Sequence, residues 1–204
     1  MNTHASSEAA NGPPDAPAQI NIWDPLVRAF HWLLVAGFAT AYLVEDEPLV
    51  VHVWAGYLVL ALIVARLIWG FVGPQHARFN DFVRGPGAVG RYLGDALRGR
   101  APRFLGHSPA GGAMVIALLL VLTGIGLTGL ALYGVEEHAG PFASLMSSAP
   151  EAWEDVLEEV HELLANLALA LIVLHVAGVL FTSLSHRENL VRAMITGKKR
   201  RAGG

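Results

Sequence analysis

Long apolar runs separated by compact charged blocks dominate the chain. Val27–Val44, Val50–Val72, Gly111–Tyr133 and Leu163–Leu184 are nearly free of charge. A bilayer core takes roughly 20 apolar residues per helix. The second, third and fourth runs meet that length, and the first does so when it begins near Trp23 and carries Arg28 at the interface. Four buried helices of a soluble bundle would instead show polar faces recurring about every 3.6 residues, and Ala113–Leu132 has no such face. The pattern predicts an all-α integral membrane four-helix bundle. Its domain spans residues 20–186, with helices over about 23–44, 50–72, 110–133 and 161–184. The composition agrees: 53% of residues are hydrophobic and 15% charged, against about 25% charged in soluble domains.

The order of the charged blocks gives the orientation. Basic residues stay on the cytoplasmic side of short connections. The first connection carries Glu45, Asp46 and Glu47, and the third carries Glu136, Glu137, Glu151, Glu154, Asp155, Glu158, Glu159 and Glu162, neither with a Lys or Arg. Arg78, Arg84, Arg91, Arg98, Arg100 and Arg103 lie in the second connection, and Arg187, Arg192, Lys198, Lys199, Arg200 and Arg201 in a basic tail of residues 187–204. Arg28 opens the first helix, and Arg66 stands near enough to the end of the second to snorkel. Both termini are therefore expected in the cytoplasm, with membrane lipid attracted to the tail. In the second connection, Val89, Leu93 and Leu97 share one face and predict a short interfacial helix; Ala152–Glu162 reads as an acidic amphipathic helix running into the fourth span. Residues 1–19 hold Pro13, Pro14 and Pro17 and no apolar stretch, and read as a disordered tail. With no cysteine in the chain, disulfides, thiolate metal sites, iron–sulfur clusters and Cys-attached haem are excluded.

Nine histidines in such a chain call for a reason, because ionisable groups within spans are costly and usually functional. His161 and His175 are fourteen residues apart, which is about 21 Å along a helix and within about 40° of one face. They point into one bundle core at two depths. His52 opens the second helix at the outer side and matches His161; His31 lies near the inner side and matches His175. Facing helices of four-helix bundles build cofactor sites in this way, and imidazole suits haem iron. Two axial histidines leave no open coordination position, which favours electron transfer over oxygen binding. Any one of these residues could instead be a hydrogen-bonded core histidine; four matched in depth argue against that. A zinc site would need three or four ligands at one depth, and the sequence offers pairs. Gly56 and Gly178 near the histidines either make room for a macrocycle or serve helix packing. Arg103, His107 and Ser108 at the inner side are candidates for a quinone pocket; for His107 the alternatives are competing with His31 as a ligand and capping the third helix. Arg28 and Arg66 are candidates to pair with a haem propionate.

Several segments resemble one family. Trp23–Trp32 (WDPLVRAFHW), His52–Gly56 (HVWAG), Phe82–Pro86 (FVRGP), Leu105–Gly112 (LGHSPAGG), His161–Asn166 (HELLAN), His175–Gly178 (HVAG) and His186–Met194 (HRENLVRAM) are similar to the bacterial cytochrome b561 and nickel–iron hydrogenase b-type cytochrome subunits. The resemblance runs from about Ile20 to Arg201; Ser108 departs from the Asn found in many relatives. It implies a multi-pass protein of the bacterial inner membrane with four spans and two haem b groups, ligated by His31, His52, His161 and His175, and it implies electron relay between the quinone pool (ubiquinone or menaquinone) and a periplasmic partner. The acidic outer side suits a basic c-type cytochrome, or merely keeps that side soluble. An anchor subunit of a hydrogenase or other periplasmic reductase is a second reading. A superoxide:ubiquinone oxidoreductase ranks lower, because an anionic substrate would want a positive outer funnel. Whether the chain is an enzyme in its own right stays open. A homodimer is carried as a further partner, and nucleic acid is not expected.

Overall fold

The computed structural model describes residues 19–44, 48–150 and 152–201. The disordered tail expected over residues 1–19 lies outside the described residues except for Gln19, as do Glu45, Asp46, Glu47, Glu151 and residues 202–204. A short strand β1 (Gln19–Asn21) leads into α1 (Pro25–Leu43), and α2 (Leu49–Val72) returns. A single 3-10 turn (Gln75–Ala77), α3 (Phe79–Phe82) and α4 (Pro86–Leu97) connect to α5 (Pro109–Glu136). The short α6 (Ala143–Met146) precedes α7 (Ala152–Ser185), then α8 (Leu190–Thr196) and β2 (Lys198–Arg200).

The helices begin where the sequence supplies caps. Asp24 accepts hydrogen bonds from the backbone N–H groups of Leu26 and Val27, with Pro25 at the first helical position. Ser108 accepts from Gly111 N–H ahead of Pro109. Each cap satisfies donors that a helix start leaves orphaned. Four helices, α1, α2, α5 and α7, are long and apolar enough to cross a membrane. They carry exposed Leu33, Trp54, Ile68, Leu120, Leu163 and Val173 on their outer faces. Burying one such side chain is worth about 1.5–3 kcal/mol, so this exterior is stable in lipid and not in water. The result is an all-α membrane bundle.

The main packing seams run α1 on α2, α2 on α5 and α5 on α7. At mid-depth Val59, Ile63, Leu119, Leu122 and Ala168 form the core, with Phe30, Leu34 and Phe38 of α1 packed against it. α7 has 34 residues, about 51 Å at the rise of an α-helix and well beyond a hydrocarbon core of about 30 Å. Its acidic first turns continue the span as one helix, so His161 lies well inside α7 and not at its start.

The C-terminal segment departs most from expectation. Residues 187–201 are no loose basic tail. They form α8 and β2, and β2 pairs antiparallel with β1 (Gln19 with Arg200, Ile20 with Lys199, Asn21 with Lys198). Gly197 takes φ +81° to end α8, a conformation glycine adopts without strain. Its carbonyl accepts from the N–H groups of Ile22 and Trp23 at 2.9 and 3.1 Å. Ile22, Trp23, Val27, Ala77 and Ala193 close into a second core beneath this clasp. β1 and β2 therefore meet at the basic end of the bundle, opposite the acidic end of α5 and α7.

Candidate functional site

Near the acidic end, His52 in the first turn of α2 places Nδ1 3.0 Å from the carbonyl oxygen of Ala41. A carbonyl only accepts, so His52 carries its proton on Nδ1. His161 on α7 places Nδ1 3.0 Å from the Thr128 hydroxyl of α5. That hydroxyl lies 2.9 Å from Gly124 O and 3.0 Å from Ile125 O. It spends its one proton on those carbonyls and accepts from His161, which is again the Nδ1–H tautomer. Both Nε2 lone pairs are left free. The two ring centres are 6.1 Å apart. Gly129 lets the His161 ring lie against α5: a Cβ at this position would sit 3.0 Å from His161 Cε1.

Nearer the basic end, the ring centres of His31 on α1 and His175 on α7 are 6.4 Å apart. Trp32 meets the His31 ring edge-on. Here no oxygen holds the back nitrogen of His31: its Nδ1 is buried without a hydrogen-bond partner among the described residues. The core around Ala168, which is fully buried, separates the two pairs.

These spacings suit a metal held between two imidazoles. A metal–nitrogen distance of about 2 Å, plus about 1.1 Å from nitrogen to ring centre, taken on both sides, separates the ring centres by about 6 Å. A Cβ added at Gly56, one turn after His52, or at Gly178, three residues after His175, would meet nothing within 4 Å. Open space therefore lies beside a member of each pair. Among the described residues no group of three or more His, Cys, Asp or Glu could hold a metal ion. The donor set is two pairs of neutral imidazoles, which fits the axial positions of a macrocycle-bound iron.

The three residues considered for a quinone pocket have separate fates. Arg103 donates to both carboxylate oxygens of Glu188, at 2.7 and 3.3 Å. Ser108 is occupied as the cap of α5. His107 packs against Trp23 and Phe82 with ring centres 4.7 and 4.5 Å away, and its Nδ1 is buried without a partner among the described residues. Burial, with the charges of Arg66 and Lys199, pushes its pKa down to about 3 against the opposing pull of Asp81, so it is a neutral imidazole at every physiological pH. It lines a cleft of about 310 Å³ at the basic end together with His76, Asp81, Arg84, Arg103 and Phe104. Arg66 does not snorkel. It is 4% exposed, lies under the rings of Phe79 and Phe82 at 5.0 and 5.9 Å, and its Nη1 has no partner among the described residues. A buried, unpaired guanidinium costs several kcal/mol, which marks it as a residue with a task. Arg28 donates to the carbonyl of Ile195 and so serves the terminal clasp.

Sequence reasoning missed Thr128, Gly129 and the Ala41 carbonyl. A hydroxyl followed by a glycine in an otherwise apolar helix was the available signal for the first two. The carbonyl has no sequence signature.

The family described as prokaryotic cytochrome b561 matches residues 22–197. A curated relative, the probable Ni/Fe-hydrogenase B-type cytochrome subunit of Rhizobium leguminosarum bv. viciae, is 24% identical over 217 residues, covering 88% of this chain and 88% of that protein. No solved structure matches the chain.

Proposed function

The chain belongs to the prokaryotic cytochrome b561 family, an integral-membrane b-type cytochrome of electron transfer, and from that premise we propose that it holds two haem b groups and relays electrons between a membrane quinone and a periplasmic redox protein. The observation that carries this reading is the pairing of four histidines into two facing sets with ring centres 6.1 and 6.4 Å apart. His52 and His161 would hold one haem and His31 and His175 the other. A haem held by these imidazoles would supply one-electron exchange. The chain's own residues orient the imidazoles, exclude water through the apolar core at Ala168, and supply Arg66 as a cation for a propionate.

The basic end faces the cytoplasm by the distribution of Lys and Arg, and the acidic end then faces the periplasm. Glu136, Glu137, Glu154, Asp155, Glu158, Glu159 and Glu162 gather there and favour a basic partner such as a c-type cytochrome. The same negative charge disfavours superoxide as a substrate. The similarity to a hydrogenase B-type cytochrome subunit supports a second reading, in which the partner is a hydrogenase. A hydrogenase that co-purifies in mild detergent supports the second, and salt-sensitive electron exchange with a basic cytochrome c supports the first.

For the quinone, ubiquinone or menaquinone, the cleft beside His107 is the candidate, because Arg103 and Ser108 are already committed to other bonds. His107→Ala is expected to keep the full haem content while slowing oxidation of a quinol analogue up to about tenfold, as for losing one hydrogen bond of about 1 kcal/mol. Unchanged quinol kinetics would remove the cleft from consideration.

The proposal as a whole is tested by haem stoichiometry and a reduced-minus-oxidised spectrum of the purified protein. Two low-spin b-type haems per chain are expected. A single haem would leave one histidine pair without its proposed task.

A further inference from the structure

The two histidine pairs differ in how the back nitrogen of the ring is held. We propose that Thr128 is a positioning residue for the site nearer the acidic end: its hydroxyl accepts the Nδ1 proton of His161, fixes the ring's rotation, and lowers the reduction potential of the iron bound there. The inference rests on the reading of His52 and His161 as a haem pair.

The hydrogen-bond directions carry the argument. Thr128 Oγ1 lies 2.9 Å from Gly124 O, the carbonyl one turn back. Its proton goes to the backbone, and its lone pair faces His161 Nδ1 at 3.0 Å. A hydroxyl so committed can only accept from the ring. Gly129, the next residue, keeps the ring close to α5, since a Cβ there would crowd Cε1 and Nδ1 at 3.0 and 3.4 Å. The opposite ligand, His52, gives its Nδ1 proton to Ala41 O at 3.0 Å. Both imidazoles of this site thus donate to an oxygen. Such a bond fixes the tautomer, raises the basicity of the ligating nitrogen and so favours the ferric over the ferrous state. Hydrogen bonding around the ligands is one of the protein's levers on haem potential. At the other site His31 Nδ1 is buried with no such acceptor among the described residues, so the lever is applied unequally to the two haems.

The test is a redox titration of the full-length protein in detergent, following the visible bands, together with its low-spin electron paramagnetic resonance signals. Thr128→Val keeps the shape of the side chain and removes the hydroxyl acceptor, while the Ile125 carbonyl stays beside the ring. One component should titrate at higher potential, with its reduced-to-oxidised ratio at fixed ambient potential raised up to about tenfold (about 59 mV for one electron), and the other should not move. Thr128→Ser keeps the hydroxyl and should show parental potentials and resonance positions. Parental potentials in a fully haem-loaded Thr128→Val protein would overturn the inference. Should Thr128→Val fail to retain haem, the serine variant decides: parental signals uphold the hydroxyl's role, whereas signals displaced from the parent would show that the methyl group matters instead. His161→Ala and His52→Ala serve as the control on the underlying reading. If both variants keep two intact low-spin haems, it is the ligand assignment that fails, whatever Thr128 does.

Discussion

His175→Ala should remove one haem, the one nearer the basic end, and leave the other with its spectrum largely intact. The imidazole is one of the two donors in that pair. Loss of a group that merely hydrogen-bonds to a metal ligand typically costs 10–100-fold in metal affinity; loss of a ligand itself should cost more, so haem content should fall to about half. Alanine is the best helix former, so α7 should continue unbroken through the change. Ala168 and its apolar neighbours lie between the two pairs, while His161 and His52 keep their own anchors at Thr128 and Ala41. His161→Ala should therefore produce the complementary loss. Haem content per chain with low-temperature spectra resolves the two. Full haem content with low-spin bands in both variants would dismiss the ligand assignment, and loss of both haems in either variant would mean that the sites assemble only together.

The second large effect is expected far from the haems, at Glu188. Its side chain is 7% exposed and faces Arg103 at 2.7 Å and Lys199 at 3.5 Å. Lys199 also donates to the carbonyls of Phe104 and Leu105. Three segments are thereby joined: the α4–α5 connection, the start of α8 and β2. Glu188→Ala strands two cations, one of them almost wholly buried. Breaking a buried pair in this way costs about 3–5 kcal/mol; Arg103 is partly in solvent, which points to the lower end. Hydrogen exchange should accelerate in Gln19–Asn21 and Lys198–Arg200, and trypsin should gain access to the C-terminal basic residues. Unchanged protection there would show that the β1–β2 ladder holds alone. Burial would raise the Glu188 carboxyl, but the Arg103 hydrogen bond and the Lys199 charge outweigh it and hold it below the ordinary carboxylate value of 4.5. A depressed carboxylate contributes stability that is fully present above that ordinary value and is lost as pH falls through the lower folded one. The clasp should thus loosen in acid, below about pH 4.5. Lys199 runs the other way: its burial lowers its pKa more than Glu188 restores it, so its charge is a cost at neutral pH. Replacing Glu188 and Lys199 together by apolar residues should accordingly be far milder than Glu188→Ala alone.

The four spans are legible in the sequence, because apolar length is a property of each segment and needs no neighbour. Also legible is which histidines share a depth: helical rise converts residue number into depth, and the alternation of acidic and basic connections sets the direction of each helix. His31 beside His175 and His52 beside His161 followed from that arithmetic. Tertiary structure alone decided what surrounds them. The Thr128 hydroxyl meets His161 across 33 positions of sequence, and its role as an acceptor depends on a proton already given to its own helix. Arg66 stood in the sequence near enough to a helix end to reach water, but Phe79 and Phe82 cover it, and only the fold brings those rings back over α2. The basic C-terminus reads as a tail drawn to lipid because its charge is local information. That Lys199 is buried follows from a carboxylate eleven residues earlier and from a strand far away in sequence, and pairing of that kind is invisible until the fold brings β1 and β2 together.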